Sequence, residues 1–160
     1  MAGGFPVMYL LDINVLLAFA YDEQVAHERV AHWIKQVKET ESERPAFATC
    51  SIVDLGFIRI ASGPARFTED LTVARADLRR LKHELNLRML GDDLDGNELP
   101  NWVSKSNQTT DGHLMELATS HHVQFATLDT GIAGAFLIPE HFEPPLEVRE
   151  TAPPYYGVAA

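Results

Sequence analysis

The 160-residue chain is almost without cysteine. Cys50 stands alone, so no intramolecular disulfide and no cysteine-built zinc cluster can form, and a reducing compartment is permitted. No apolar run approaches the ~20 residues of a membrane-spanning helix, and the first residues lack the basic segment and apolar core of a secretion signal. No membrane partner is expected, and a cytoplasmic location is. Positive charge is scarce: 13 Lys+Arg stand against 23 Asp+Glu, a formal net charge of −10. Nucleic-acid binders usually carry a basic patch, so this balance argues against a polyanionic ligand unless some of the acids serve a cation. There is no low-complexity tract, and 46% hydrophobic residues exclude a disordered chain.

What is present alternates. Val7 to Leu11 is continuously apolar and stops at Asp12, as a strand buried on both faces would. Asn14 to Ala20 reads as a helical turn or two, and helical spacing of Val30, Ala31, Ile34 and Val37 runs to about Lys38. Ala46–Thr49 is a second strand candidate, Ser51–Ala61 a helix stopped by Gly63-Pro64, and Thr68 to about Lys82 a third helical segment. Leu85–Leu90 alternates like a strand, Trp102–Ser106 suits a short helix, and Asp111–Ser120 a longer one. Val123–Leu128 is again a buried-type strand, with weaker fragments at Phe136–Ile138 and Leu146–Val148. Strands alternating with helices predict an α/β sandwich around a mainly parallel sheet. It occupies residues 7–149 as one domain, after a flexible lead-in at 1–6 and before a tail at 150–160.

Four aspartates fall where such a fold places chemistry. Ligands of parallel sheets bind beyond the carboxyl ends of the strands, and Asp12 and Asp129 each follow a strand candidate directly. Taken singly, Asp12 could cap the following helix and Asp129 could serve its Asp-Thr-Gly turn. Asp54 lies on a helix apolar on nearly every face, which predicts burial. A carboxylate there needs a cation, whether a metal or a salt-bridge partner. Arg59, five residues on, is badly placed for the second role. Asp111 opens a helix, where an acid meets the helix dipole favourably. Four converging carboxylates repel unless a divalent ion neutralises them, and oxygen ligands select a hard cation, Mg²⁺ or Mn²⁺.

Those residues carry a family resemblance. Leu10-Leu-Asp12-Ile-Asn14-Val-Leu-Leu17 resembles the opening motif of PIN-domain nucleases, and Thr49-Cys-Ser-Ile-Val-Asp54-Leu-Gly-Phe-Ile-Arg59-Ile their second. Thr110-Asp111-Gly-His-Leu-Met-Glu-Leu-Ala118 and Phe125-Ala-Thr127-Leu-Asp129 are similar to the third and fourth. The spacing, the Trp102 segment and the length look most like VapC-type toxins of bacterial toxin–antitoxin pairs, across about Val7 to Val148. The resemblance implies a three-layer α/β/α sandwich with a five-stranded parallel sheet and Mg²⁺- or Mn²⁺-dependent endoribonuclease activity. It also implies homodimers and neutralisation by a cognate antitoxin. The acidic quartet maps onto Asp12, Asp54, Asp111 and Asp129, with Asn14 and Thr127 at polar support positions. Two departures stand out: Asp54 where the family usually has Glu, and Ile13 where it often has a hydroxyl residue.

Arg75, Arg79, Arg80 and Lys82 form a basic cluster, with Arg88 nearby, that a solvated helix face or a contact with RNA or a partner would explain. Asp93–Ser104 misses the glycine and final Glu of a calcium loop, and adjacent His121-His122 cannot face one ion from one helix. Two other functions fit parts of the chain. A PIN-fold binding module with lapsed catalysis would explain Asp54 and Ile13. A receiver-like phospho-acceptor domain would use Asp12, Asp54 and Lys105, but leaves Asp111 and Asp129 without a role.

Overall fold

In a computed structural model of the chain, residues 7–40, 45–64, 67–68 and 70–140 are described. The lead-in at 1–6, the fragment Leu146–Val148 and the tail at 150–160 lie outside them. The first apolar run forms β1 (Tyr9–Leu11), shorter than its hydrophobic stretch, with Leu10 and Leu11 wholly buried. Asp12 ends it by capping α1 (Ile13–Ala20), its Oδ1 accepting from the Ile13 N–H at 2.7 Å. After α2 (His27–Glu39) comes β2 (Phe47–Thr49), then α3 (Ser51–Ala61) at its expected bounds. Asp70, accepting from the Val73 N–H at 2.9 Å, caps α4 (Leu71–Glu84) and so sets its start later than the apolar pattern suggests.

The stretch Leu85–Leu90 pairs only as β3 (Arg88–Met89). Its first half closes α4 instead. Asn86 takes a left-handed conformation (φ 48°), while the Leu87 N–H donates to the Lys82 carbonyl at 3.0 Å. The same device ends α5 (Thr109–Ser120): His122 is left-handed (φ 57°) and Val123 N–H reaches the Ala118 carbonyl at 3.0 Å. One of the two adjacent histidines thus has a backbone role. Trp102–Ser106 is not helical. A 3₁₀ turn begins only at Ser106, because the Gln108 side chain accepts from the Ser104 and Lys105 N–H groups and holds that segment extended. The chain then forms β4 (Gln124–Thr127) and β5 (Phe136–Leu137).

The five strands pair in parallel throughout, in the order β3-β2-β1-β4-β5. Helices cover the sheet on both faces, the three-layer α/β/α arrangement of a PIN-like fold. The chain builds outward from β1 in one direction through β2 and β3, then crosses to β4 and β5 on the other side. The reversal point therefore falls between β1 and β4, where a crevice opens at the carboxyl ends of the strands. The core is continuous, with Phe47, Phe57 and Phe125 fully buried. Trp33 packs edge-on against Tyr9 at 4.9 Å.

Contrary to the expectation of burial all round, α3 is two-sided. Val53, Gly56, Phe57 and Ala61 face inward, whereas Ser51, Leu55 and Arg59 form an exposed stripe with Leu55 67% accessible. Gly112 lets the start of α5 approach the Leu99–Val103 segment, since a Cβ there would lie 2.4 Å from Val103 Cγ2. His113 Nε2 lies 2.5 Å from Asp92, and His121 Nε2 2.7 Å from the Gly91 carbonyl, tying the acidic loop to α5.

Candidate active site

Asp12 sits at the reversal point, held from both sides. The Asp12 N–H donates to the Ala126 carbonyl of β4 at 2.9 Å, so the residue extends the β1–β4 pairing by one step. The residue is only 6% exposed. Besides the cap on Ile13, its Oδ2 accepts from Thr127 Oγ1 at 2.7 Å. Thr127 is wholly buried at the end of β4 and works as a hub. Its oxygen also accepts from the Asp129 N–H at 3.0 Å and from Asn14 Nδ2 at 3.4 Å. Asn14 Oδ1 in turn accepts from the Leu128 N–H at 3.3 Å. Asn14 and Thr127 thereby join the start of α1 to the loop after β4.

Asp129 lies exposed at the rim, its Oδ1 accepting from the Gly131 N–H at 2.7 Å in a local turn. Asp111 stands in the first turn of α5, half-buried, with no side-chain partner among the described residues. Asp12 and Asp111 feel their acidic neighbours. Burial raises Asp12 from the ordinary 3.8 to about 6, against the lowering effect of its two hydrogen bonds, and Asp111 and Asp129 add to the rise. Asp111 is raised as well, by burial and then by Asp129. No Lys or Arg pairs with any of the three among the described residues.

Such a set suits a hard divalent cation on chemical grounds. All donors are oxygens, the negative charge is uncompensated, and two of the acids are destabilised first by burial and then by neighbouring acids. Among the described residues no group of three or more acid, histidine or cysteine side chains stands positioned to hold a metal ion. Mg²⁺ takes one or two carboxylates and keeps several waters, so a site of this kind would draw its remaining ligands from water.

Asp54 is placed differently. It projects from the first turn of α3, not from a strand end, and its Oδ1 accepts from Thr49 Oγ1 at 2.7 Å. Its Oδ2 pairs with Lys82 Nζ from the last turn of α4. Lys82, singled out as a basic surface residue, thus turns inward onto an acid. Arg80 pairs with Asp77 at 3.0 Å, and Arg88 is exposed on β3. Arg75 and Arg79 are exposed on one face of α4, without side-chain partners among the described residues. The Lys82–Asp54 and Tyr21–Asp77 contacts (the latter 2.9 Å) carry no sequence signal, since their partners lie 28 and 56 positions apart.

Thr127→Val should show what the hub contributes. It leaves a buried Asp12 oxygen without its donor, so the chain should lose about 1–3 kcal/mol of stability. The Asp12 carboxyl should also move further above its present value, because a bond favouring the charged form is gone. Urea unfolding at several pH values measures both; an unchanged midpoint and an unchanged pH profile would deny Thr127 this role.

No family model matches the chain. Curated proteins do. Ribonuclease VapC38 of Mycobacterium tuberculosis is 32% identical over 131 residues, covering 78% of this chain and 87% of the relative. Ribonuclease VapC44 of the same organism is 34% identical over 130 residues with the same coverage. Ribonuclease VapC29, also from that organism, is 32% identical over 129. With a parallel PIN-like sheet, Asp12 at its reversal point and relatives matched over most of their length, the chain belongs to the VapC family of PIN-domain ribonucleases.

Proposed function

We propose that this protein is a Mg²⁺- or Mn²⁺-dependent endoribonuclease, acting on RNA in the cytoplasm as the toxin of a toxin–antitoxin pair. The observation that carries it is Asp12, buried at the carboxyl end of β1 and raised in proton affinity by burial and then by Asp111 and Asp129. The names of the relatives support RNA as the substrate. On this reading a homodimer and a cognate antitoxin are further partners, as the family resemblance implies.

The chain's own residues have distinct tasks. Asp12, Asp111 and Asp129 would hold the cation; Asn14 and Thr127 orient Asp12 and the loop bearing Asp129. The chemistry that Mg²⁺ or Mn²⁺ supplies at such a site is polarisation of a phosphate oxygen and acidification of nearby water. Asp129, exposed at the rim, is the acid that meets substrate from solvent. Arg75 and Arg79 offer the backbone contacts that an acidic chain needs to hold a polyanion.

The test is direct. Purified chain given Mn²⁺ and a pool of varied single-stranded RNAs should produce internal cuts on a denaturing gel. RNA that is bound but left whole would replace this reading with the binding module that Ile13 and Asp54 make conceivable. A small antitoxin-like reading frame immediately upstream would support the toxin assignment.

A further inference from the structure

Of the four motif acids, Asp54 alone already has its charge answered. Its Oδ1 accepts from Thr49, a residue wholly buried at the end of β2, and its Oδ2 from the Lys82 ammonium. The Asp54 side chain is 13% exposed and that of Lys82 34%, so neither is an ordinary surface charge. Both ends are fixed. Asp54 is anchored one turn into α3, its N–H on the Cys50 carbonyl at 2.9 Å, and the Lys82 carbonyl accepts the Leu87 N–H that closes α4. A pair held on two packed helices, with a threonine filling the other oxygen, leaves no carboxylate oxygen without a donor.

We infer that Lys82 is a positioning residue that withdraws Asp54 from the metal set, so that a first cation binds at the Asp12 end of the site without it. This rests on the metal-dependent reading above and deepens it. A fixed ammonium against Asp54 has two consequences. It satisfies the acid internally, so a divalent ion seeking that carboxylate must displace Lys82. It also sets a positive charge beside Asp54, so a second cation approaching that carboxylate meets a like charge in a partly buried place, where repulsion is strong. The chain should therefore load one divalent ion per molecule in the absence of RNA. The aspartate in place of the usual glutamate fits the same arrangement, its shorter side chain keeping the carboxylate back at Thr49 and Lys82.

Calorimetric titration of Mn²⁺ alone into metal-stripped full-length protein at pH 7.5 tests this. The parent chain should take one Mn²⁺. Asp54→Asn should bind it within about threefold of the parent, and Asp12→Asn should weaken it by the ~10-fold or more that loss of a ligand or of its direct support carries. Lys82→Met, which frees the acid, should either tighten Mn²⁺ by about tenfold or add a second equivalent. Lys82→Arg, keeping the charge, should behave as the parent. Equal losses in Asp54→Asn and Asp12→Asn would overturn the inference and leave the metal-dependent reading intact. So would a Lys82→Met chain, folded by circular dichroism, whose Mn²⁺ binding does not change. If Lys82→Met unfolds, the Asp54→Asn comparison decides alone. A parent chain that takes no Mn²⁺ overturns both readings.

Discussion

Asp12→Asn should suppress RNA cleavage by roughly a hundred- to a thousandfold, the scale on which loss of a charge-stabilising group acts, while making the metal-free protein more stable at pH 7. The two effects share one cause. Asp12 is held at about 6 against an ordinary 3.8, first by burial and then by Asp111 and Asp129. The folded chain thus binds a proton at this carboxyl more tightly than the unfolded chain does. Protonation favours the fold, so stability is highest below pH 3.8 as far as this group is concerned. It declines as pH rises from there to about 6 and then levels off. A rise of that size corresponds to about 3 kcal/mol of destabilisation once the group is charged.

Asparagine carries no charge at any of these pH values. Its carbonyl can keep the cap on the Ile13 N–H, and asparagine is as good a cap as aspartate. Its amide faces Thr127, whose hydroxyl must then accept instead of donate, and that offsets part of the gain. A net gain of about 1–2 kcal/mol remains, which in a domain of this size raises Tm by roughly 3–6 °C. The gain should vanish when the comparison is made near pH 4, where Asp12 in the parent is itself protonated. A variant that loses cleavage and melts lower at pH 7 would mean that the carboxylate stabilises the fold, contrary to the strain described.

The acids of the candidate site are more legible in the sequence than their supports. A run of apolar residues stopping at a charge marks a buried strand and its carboxyl end at once, so the pattern alone sets Asp12 and Asp129 at one edge of a parallel sheet. Asn14 and Thr127 came only with the motifs, and the geometry that joins them spans 113 residues of sequence. Asp54 resisted for a physical reason. An acid on an apolar helix must have a partner, but whether metal or lysine depends on which helix packs beside it, and packing is not written in local spacing. The same limit applied to Leu85–Leu90. Its alternating pattern suits a strand, yet Asn86 supplies the left-handed residue that ends a helix, and the competing signal prevailed. The exposed stripe of α3, Ser51, Leu55 and Arg59, shows the reverse error. Composition alone predicted burial, while the helix presents one face to solvent regardless of its leucine.

Removing divalent ions should abolish cleavage, and restoring Mn²⁺ should both return it and raise Tm. The metal-free site concentrates Asp12, Asp111 and Asp129 without a countercharge in a chain whose net charge is already −10. Phosphate is repelled from such a place, so RNA should bind the chelated protein more weakly than the loaded one, with Arg75 and Arg79 left as the main attraction. Binding only to the folded state stabilises by mass action, about 2.7 kcal/mol at a hundred times Kd, or roughly 5–10 °C in Tm for a domain of this size. Protons compete for the same oxygens, since ligand carboxylates must be ionised. Asp12 takes its proton at about 6, so the Mn²⁺-induced shift should be full at pH 7.5 and reduced at pH 5. A proton bound one unit below its pKa weakens the cation about tenfold, or about 1.4 kcal/mol. Thermal melts with and without Mn²⁺ at the two pH values, beside a cleavage assay in chelator, measure all of this. Undiminished cleavage in chelator would place the chemistry elsewhere. A Tm shift equal at both pH values would remove Asp12 from the ligands, because its carboxyl, titrating at about 6, is largely protonated at pH 5 and ionised at pH 7.5.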